Sequence, residues 1–533
     1  MRNTHSLDAA VAAHRPPGTL AGEIRGLSEI AQCWRVELAR VLKEVDAEAV
    51  ALGAVDVAEL AVAMADLAED LHTNGGLWRG LEEGNRTLFG TPLPLVWRTG
   101  DPALAPFDAR RFQFFLYSVW PHFKPSRNTS PGHRGFLAIA SHAGTFFAEA
   151  FAGRSRASSV TAFLGTANTR GWEVKRKLVW LGTHGFLFRF AYADYLTRNP
   201  PKDADVIGTT DDFLCQECTA WSGCGALDLL AAVLDLPEED RTALRGWHER
   251  HAAFYRVDAL HARGTDIETL ALVNLINGQS YSVRMEIPRN RCPFAPGQMV
   301  FGSLVPWRGE WYWSGGQKRY PQVPPDSLTI KRTMIEKNAS IVYRYRPDLA
   351  ERARQAAVKH HADFVRFYGS DLAVFADGLT AAAAQQRHWR EQVEAKMGAD
   401  TPAYLAKHGL DRTGPKLSWP KKLIECRRGV AVFYHEGEGI EMMADFDVLR
   451  SALGKSREIL SEGECDVLQA FVESTAISPA FVRRVIREHG SSGIAALYYL
   501  PIGDGAELEY LLRRFKGFYY RRRYPNISLV GTE

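Results

Sequence analysis

The chain changes its period in the middle, and that change limits what it can fold into. Tyr281-Ser-Val-Arg-Met-Glu-Ile287 alternates apolar and polar residues as a half-buried strand does. Met299-Val-Phe-Gly-Ser-Leu-Val-Pro-Trp307 and Glu310-Trp-Tyr-Trp-Ser314 flank Arg308-Gly309. A two-residue connection ending in Gly between strand-like runs is a hairpin signal. Residues 267–345 therefore read as a small antiparallel sheet or barrel, while the sequence on both sides reads as helix. The expected class is α+β: a mainly helical multidomain protein with an inserted small antiparallel β-sheet or barrel.

Upstream, Val57, Leu60, Met64, Leu67 and Leu71 recur at steps of three and four, one face of an amphipathic helix. Thr87 to Pro94 breaks helix with a Gly and two prolines. Helices are expected at 109–120, 136–152, 172–197, 211–221, 225–235, 238–255, 347–367, 378–398, 445–454, 461–473 and 479–489. Gly429 to Met443 reads as a second hairpin, turning on Gly437 and Gly439. Gly398 to Lys422, rich in Gly and Pro, is the linker candidate. The resulting division is a loose N-terminus at 1–26 and a helical domain at 27–265. A β domain follows at 266–345, then a helical segment at 346–399. A linker at 400–424 leads to a C-terminal α+β unit at 425–533.

At 533 residues the chain exceeds one ordinary core. Its 46% hydrophobic and 24% charged residues fit globular rather than disordered protein. Two apolar stretches are interrupted, one by His142 and Glu149, the other by His184, Arg189 and Asp194, so no transmembrane helix and no membrane partner is expected. The N-terminus lacks the apolar core of a secretion signal. Seven cysteines form no disulfide scaffold, which makes the cytoplasm the expected compartment.

Charge is concentrated at the end. Arg513 to Tyr524 holds six cations, five rings and no carboxylate, against a net charge of +3 for the whole chain. Guanidinium groups interleaved with rings suit phosphates and bases. Arg513, Arg514, Lys516, Tyr519, Tyr520, Arg521, Arg522 and Arg523 are therefore candidate DNA or RNA contacts on a basic aromatic ridge. A helix-turn-helix-like pair precedes them. Ser461 to Glu464 is a capping box, and Ser478-Pro479 starts a second helix carrying Arg483, Arg484 and Arg487 on one arc. The apolar residues after Pro525 allow a different reading, a docked terminal strand in a scaffold with protein partners.

Cys215, Cys218 and Cys224 put three thiols within ten residues, with His248 and His251 downstream at a spacing of three. Three thiolates and one imidazole would complete a zinc shell. Small buried residues at a helix crossing, or a reactive thiol, account for the same pattern. Trp307, Trp311, Tyr312, Trp313 and Tyr320, with Arg308, Lys318 and Arg319, form the third constellation. Small barrels use such rings as stacking platforms for single strands, and equally as core. Alternation puts Trp311 and Trp313 on one face and Tyr312 on the other.

Other chemistries lack their motifs. Gly454-Lys455-Ser456 has Leu449 where a phosphate loop needs its leading Gly. Asp371 and Asp377 flank a short apolar run as metal ligands or as caps. The expected function is that of a cytoplasmic, non-enzymatic nucleic-acid-associated protein contacting phosphate through the C-terminal ridge. An interaction scaffold and a metal- or thiol-dependent enzyme centred on the cysteines are the alternatives, so the question of enzymatic activity stays open.

Overall fold

The computed structural model describes residues 7–45, 52–98, 100–125, 128–201, 205–217, 221–322, 327–407, 409, 419–500, 505–521 and 523–525. The protein is α+β and mainly helical. Its chain divides into two compact units: Met1–Pro324 with Tyr498–Phe518, and Pro325–Leu497 with Tyr519–Glu533. The Gly398–Lys422 stretch lies inside the second unit, with 410–418 outside the described residues.

In the first unit the helix Ala54–Thr73 is buried almost all round, from Leu60 to Asp70. A helix apolar on every face is central rather than peripheral. Helix Ala109–Phe123 brings Phe112, Phe114, Phe115 and Trp120 into the core. Trp78 and Trp221 meet edge to face there, 5.7 Å between centroids. The long helix expected over 172–197 is two, Gly171–Thr183 and Arg189–Arg198. They join at Gly185, where a Cβ would lie 2.6 Å from the Leu181 carbonyl oxygen.

The inserted β element is a closed barrel. Its strands are β1 (Ala252–Arg263), β2 (Asp266–Asn274), β3 (Ser280–Pro288), β4 (Met299–Trp307) and β5 (Glu310–Tyr320), in the order β1-β2-β3-β5-β4. It is not wholly antiparallel: β3 and β5 pair in parallel at Val283 and Trp311. The helix expected over 238–255 ends at Arg245, and β1 begins at Ala252 after a 3₁₀ turn. Ala253, Tyr255 and Val257 explain this, since they alternate inward as strand residues. The β4–β5 connection is the expected tight hairpin, with positive φ at Arg308 (48°) and Gly309 (80°).

The rings divide between two sides of the barrel wall. Tyr281 meets Trp311 edge to face at 4.6 Å, and Tyr255 meets Trp313 at 6.0 Å. Tyr312 points the other way, onto Trp172 of the helical body at 5.4 Å. Trp307 is buried and its Nε1 donates to the Asn168 carbonyl at 3.0 Å. Four of the five hairpin rings thus belong to internal packing.

The second unit holds the sheet β6 (Leu372–Phe375), β7 (Val430–His435) and β8 (Gly439–Ala444), ordered β6-β7-β8 and antiparallel. Phe364, Ala373, Ala381, Val430, Val432 and Tyr434 form one of its cores. The second hairpin and the capping box at Ser461 are where the sequence puts them. Asp377 caps helix Gly378–Met397 through Thr380 N at 2.7 Å, and Asp371 pairs with Arg484 at 3.0 Å.

Candidate functional site

Cys215 lies buried on helix Val206–Gln216, among charges rather than other thiols. Lys175 Nζ pairs with Asp211 and donates to Ser314 Oγ at 2.9 Å and to Cys215 Sγ at 3.7 Å. Arg250 pairs with Asp211 and with Asp212, the latter at 2.7 Å. Burial alone would raise Asp211, but the Lys175 and Arg250 charges hold its carboxyl below the usual range. Burial pushes the Cys215 thiol up, so it stays protonated.

Two cations beside the sulfur are the opposite of what a dication needs. Cys224 sits past the helix end, its Sγ 3.7 Å from the Gly225 carbonyl. His248 Nδ1 lies 2.8 Å from the Arg245 carbonyl, and His251 is buried just before β1. Cys218 lies outside the described residues. Among the described residues no three His, Cys, Asp or Glu side chains gather as metal ligands. The expectation of zinc at Cys215, Cys224, His248 and His251 is not supported.

The basic tail is mostly packed rather than presented. Residues 513–516 finish helix Ala506–Lys516, whose Tyr510, Leu511 and Leu512 are in the core. Arg514 is buried, with its guanidinium 5.2 Å from the Tyr117 ring centroid, and Lys516 is 0% exposed. Arg513 pairs with Glu509 at 2.9 Å. A phosphate cannot reach Arg514 or Lys516, because tertiary burial rather than local composition decides what a charged run shows.

In the second unit Tyr519 donates to the Thr475 carbonyl at 2.8 Å, and Arg523 pairs with Glu438. Arg483 donates to the Tyr520 hydroxyl at 2.9 Å. Arg521 is partly exposed, and Arg522 lies outside the described residues.

The helix pair forms as Glu462–Glu473 and Pro479–His489. Arg487 is exposed on the second helix, whereas Arg484 is held by Asp371 and by Glu488 at 2.6 Å. A groove-reading helix offers its N-terminal residues to bases. Here Ser478 and Pro479 are buried, and Ser478 N donates to Glu441 Oε2 of β8 at 2.6 Å. That end is committed to the protein's own sheet.

One cationic corner of the barrel is differently placed. Arg289 and Arg291 in the β3–β4 link, and Lys318 and Arg319 at the end of β5, are exposed and form no ion pair among the described residues. Arg319 Nη1 donates to the Pro293 carbonyl, which brings the middle of the link against the strand, while the start of the link is held at the β1–β2 turn by Arg289 N donating to the Thr265 carbonyl. Other barrel cations are occupied: Arg256 by Asp258 (2.7 Å), Arg284 by Glu310 (3.1 Å) and Arg308 by Asp240 (2.6 Å). Beside this corner Phe254 and Phe301 stand 4.8 Å apart and Tyr320 lies 6.2 Å from Phe254, all partly exposed. Alternation along β1 with inward Tyr255 and Val257 would have flagged Phe254. Only Tyr320, Lys318 and Arg319 were among the sequence candidates.

A second feature escaped the sequence reading entirely. Asp66, Glu69 and Asp70 lie buried on the helix Ala54–Thr73. Arg15 donates to Glu69 at 2.5 Å and Arg189 to Asp66 at 2.6 Å. Asp70 accepts from Leu77 N (3.2 Å) and Trp78 N (2.8 Å), capping the next helix. With His14 and His184 they line a small pocket of about 20 Å³.

Burial raises Glu69 to about 7 despite Arg15, and raises Asp70 to about 6. Burial, with the Arg189 charge, lowers His14 to about 4. A carboxyl titrating near 7 changes its charge around neutral pH. Here it also ties the N-terminal segment to the central helix.

No protein-family model, curated protein or solved structure matches the chain.

Proposed function

We propose that this chain is a nucleic-acid-associated protein that contacts phosphate through the exposed barrel cations Arg289, Arg291, Lys318 and Arg319, on the β3–β4 link and the end of β5. The supporting observation is that these four cations are exposed without carboxylate partners among the described residues, on a barrel whose Arg256, Arg284 and Arg308 are each paired. Free surface cations attract a polyanion, whereas paired ones are neutralised.

Connectivity adds support. A five-stranded barrel in the order β1-β2-β3-β5-β4 with a parallel β3–β5 closure has the Greek-key path of oligonucleotide- and oligosaccharide-binding barrels. That is an analogy of fold, and the function is carried by the site. Compared with the C-terminal ridge, this corner keeps its cations at the surface.

The test is anisotropy of labelled oligonucleotides with full-length protein, between about 50 and about 200 mM salt. Affinity should fall linearly on a log–log plot, and Lys318→Glu with Arg319→Glu should reduce the slope by about two. Salt-independent binding, or a variant that binds like the parent, would refute the reading.

A further inference from the structure

We infer that the ligand of this corner is a single strand, held by base stacking on Phe254, Phe301 and Tyr320; this rests on the nucleic-acid reading above. Register places the groups in two adjacent cross-strand rows: Phe254, Phe301 and Lys318 in one, Arg256, Met299 and Tyr320 in the next. Directly opposed side chains on a sheet touch, so the first row sets Lys318 beside Phe301, while in the second Met299 separates Arg256 from Tyr320. Lys318 Nζ lies 5.7 Å from the Tyr320 centroid. Asp258 is the nearby carboxylate on β1, and Arg256 neutralises it at 2.7 Å.

Rings in a barrel are usually spent on its interior, as Tyr255, Tyr281, Trp311 and Trp313 are here. Phe254, Phe301 and Tyr320 instead keep part of their faces in solvent on the outer wall. An exposed π-face gains from an unstacked base, and a single strand presents such bases while a duplex keeps them inside. Of the exposed cations, unpaired Lys318 shares this face, directly opposite Phe301, where it meets the phosphates of a strand stacked on the rings.

The experiment compares a labelled 12-nucleotide single strand with its duplex, using full-length protein, Phe301→Ala, Tyr320→Ala and Tyr320→Phe. Circular dichroism melts confirm that each variant is folded. Single strand should bind more tightly than duplex. Each alanine variant should lose about tenfold in single-strand affinity, with duplex affinity unchanged, and Tyr320→Phe should keep it.

Equal binding of strand and duplex, or alanine variants that bind single strand like the parent, overturns the inference. If the Lys318→Glu/Arg319→Glu variant still loses salt-dependent binding in that case, the nucleic-acid reading survives. If neither oligonucleotide binds, both fail.

Discussion

Phe254 and Phe301 face each other directly across β1 and β4, centroids 4.8 Å apart on the outer wall of the barrel. One residue later Tyr255 turns inward against Trp313. The same strand therefore supplies both core and surface rings, and substitutions should separate the two roles.

Trp307→Ala removes an internal ring. Trp307 is fully buried, packs edge to face on Trp247 at 6.0 Å and donates to Asn168. The variant should lose about 3–5 kcal/mol of stability, read by urea denaturation. Any binding loss should disappear when the comparison is restricted to folded protein.

The buried cleft predicts opposing pH effects. Glu69 has a folded pKa of about 7, above its unfolded value near 4.5. The folded state then holds the extra proton, so this stabilisation is complete below about pH 4.5 and is lost as pH rises through 7. His14 works the other way, since its folded pKa of about 4 lies below 6.5. Its stabilisation is present above about pH 6.5 and is lost as pH falls toward 4. Melting temperatures across this range should show Glu69→Gln flattening the neutral-side decline and His14→Asn flattening the acid-side one. Unchanged profiles would mean that the cleft opens to water.

Arg15→Ala leaves Glu69 buried without its 2.5 Å partner. Breaking a buried pair from one side costs about 3–5 kcal/mol, which denaturant titration should register. Arg40→Ala, in an exposed pair with Glu37 and Glu44, should leave the denaturation midpoint almost unchanged.

Thiol titration of native protein separates the cysteines. Cys33 is exposed and should react quickly, whereas Cys215 is buried with a raised pKa and should react only on unfolding. Fast labelling of Cys215, detected by peptide mapping, would contradict its place in the Lys175–Asp211 cluster.

Local patterns were legible in the sequence: the Arg308-Gly309 hairpin, the Ser461 capping box and most helices follow from turn chemistry and period. Long-range pairing was not. The parallel Val283–Trp311 closure joins residues with no local signal for each other, so a barrel could be named but not its order. Lys516 illustrates a second limit. Its charge predicted a surface, yet the helix that carries it also carries Tyr510, Leu511 and Leu512, and packing of that face buried the lysine. Asp66, Glu69 and Asp70 carry no local sign of burial, because carboxylates opposite an apolar stripe read as a solvated face and only tertiary packing encloses them. From Leu60 to Asp70 every face is internal, which makes these three carboxylates the unusual residues of that stretch.

The measurement that bears most directly on the central claim sets the two basic surfaces against each other. Lys318→Glu/Arg319→Glu alters the barrel corner, and Arg487→Glu/Arg521→Glu alters the surface near the C-terminus. Single-strand anisotropy with full-length protein should show the first pair losing most of the affinity and the second retaining it. Loss confined to the Arg487→Glu/Arg521→Glu variant would contradict the account and return the contact to the tail.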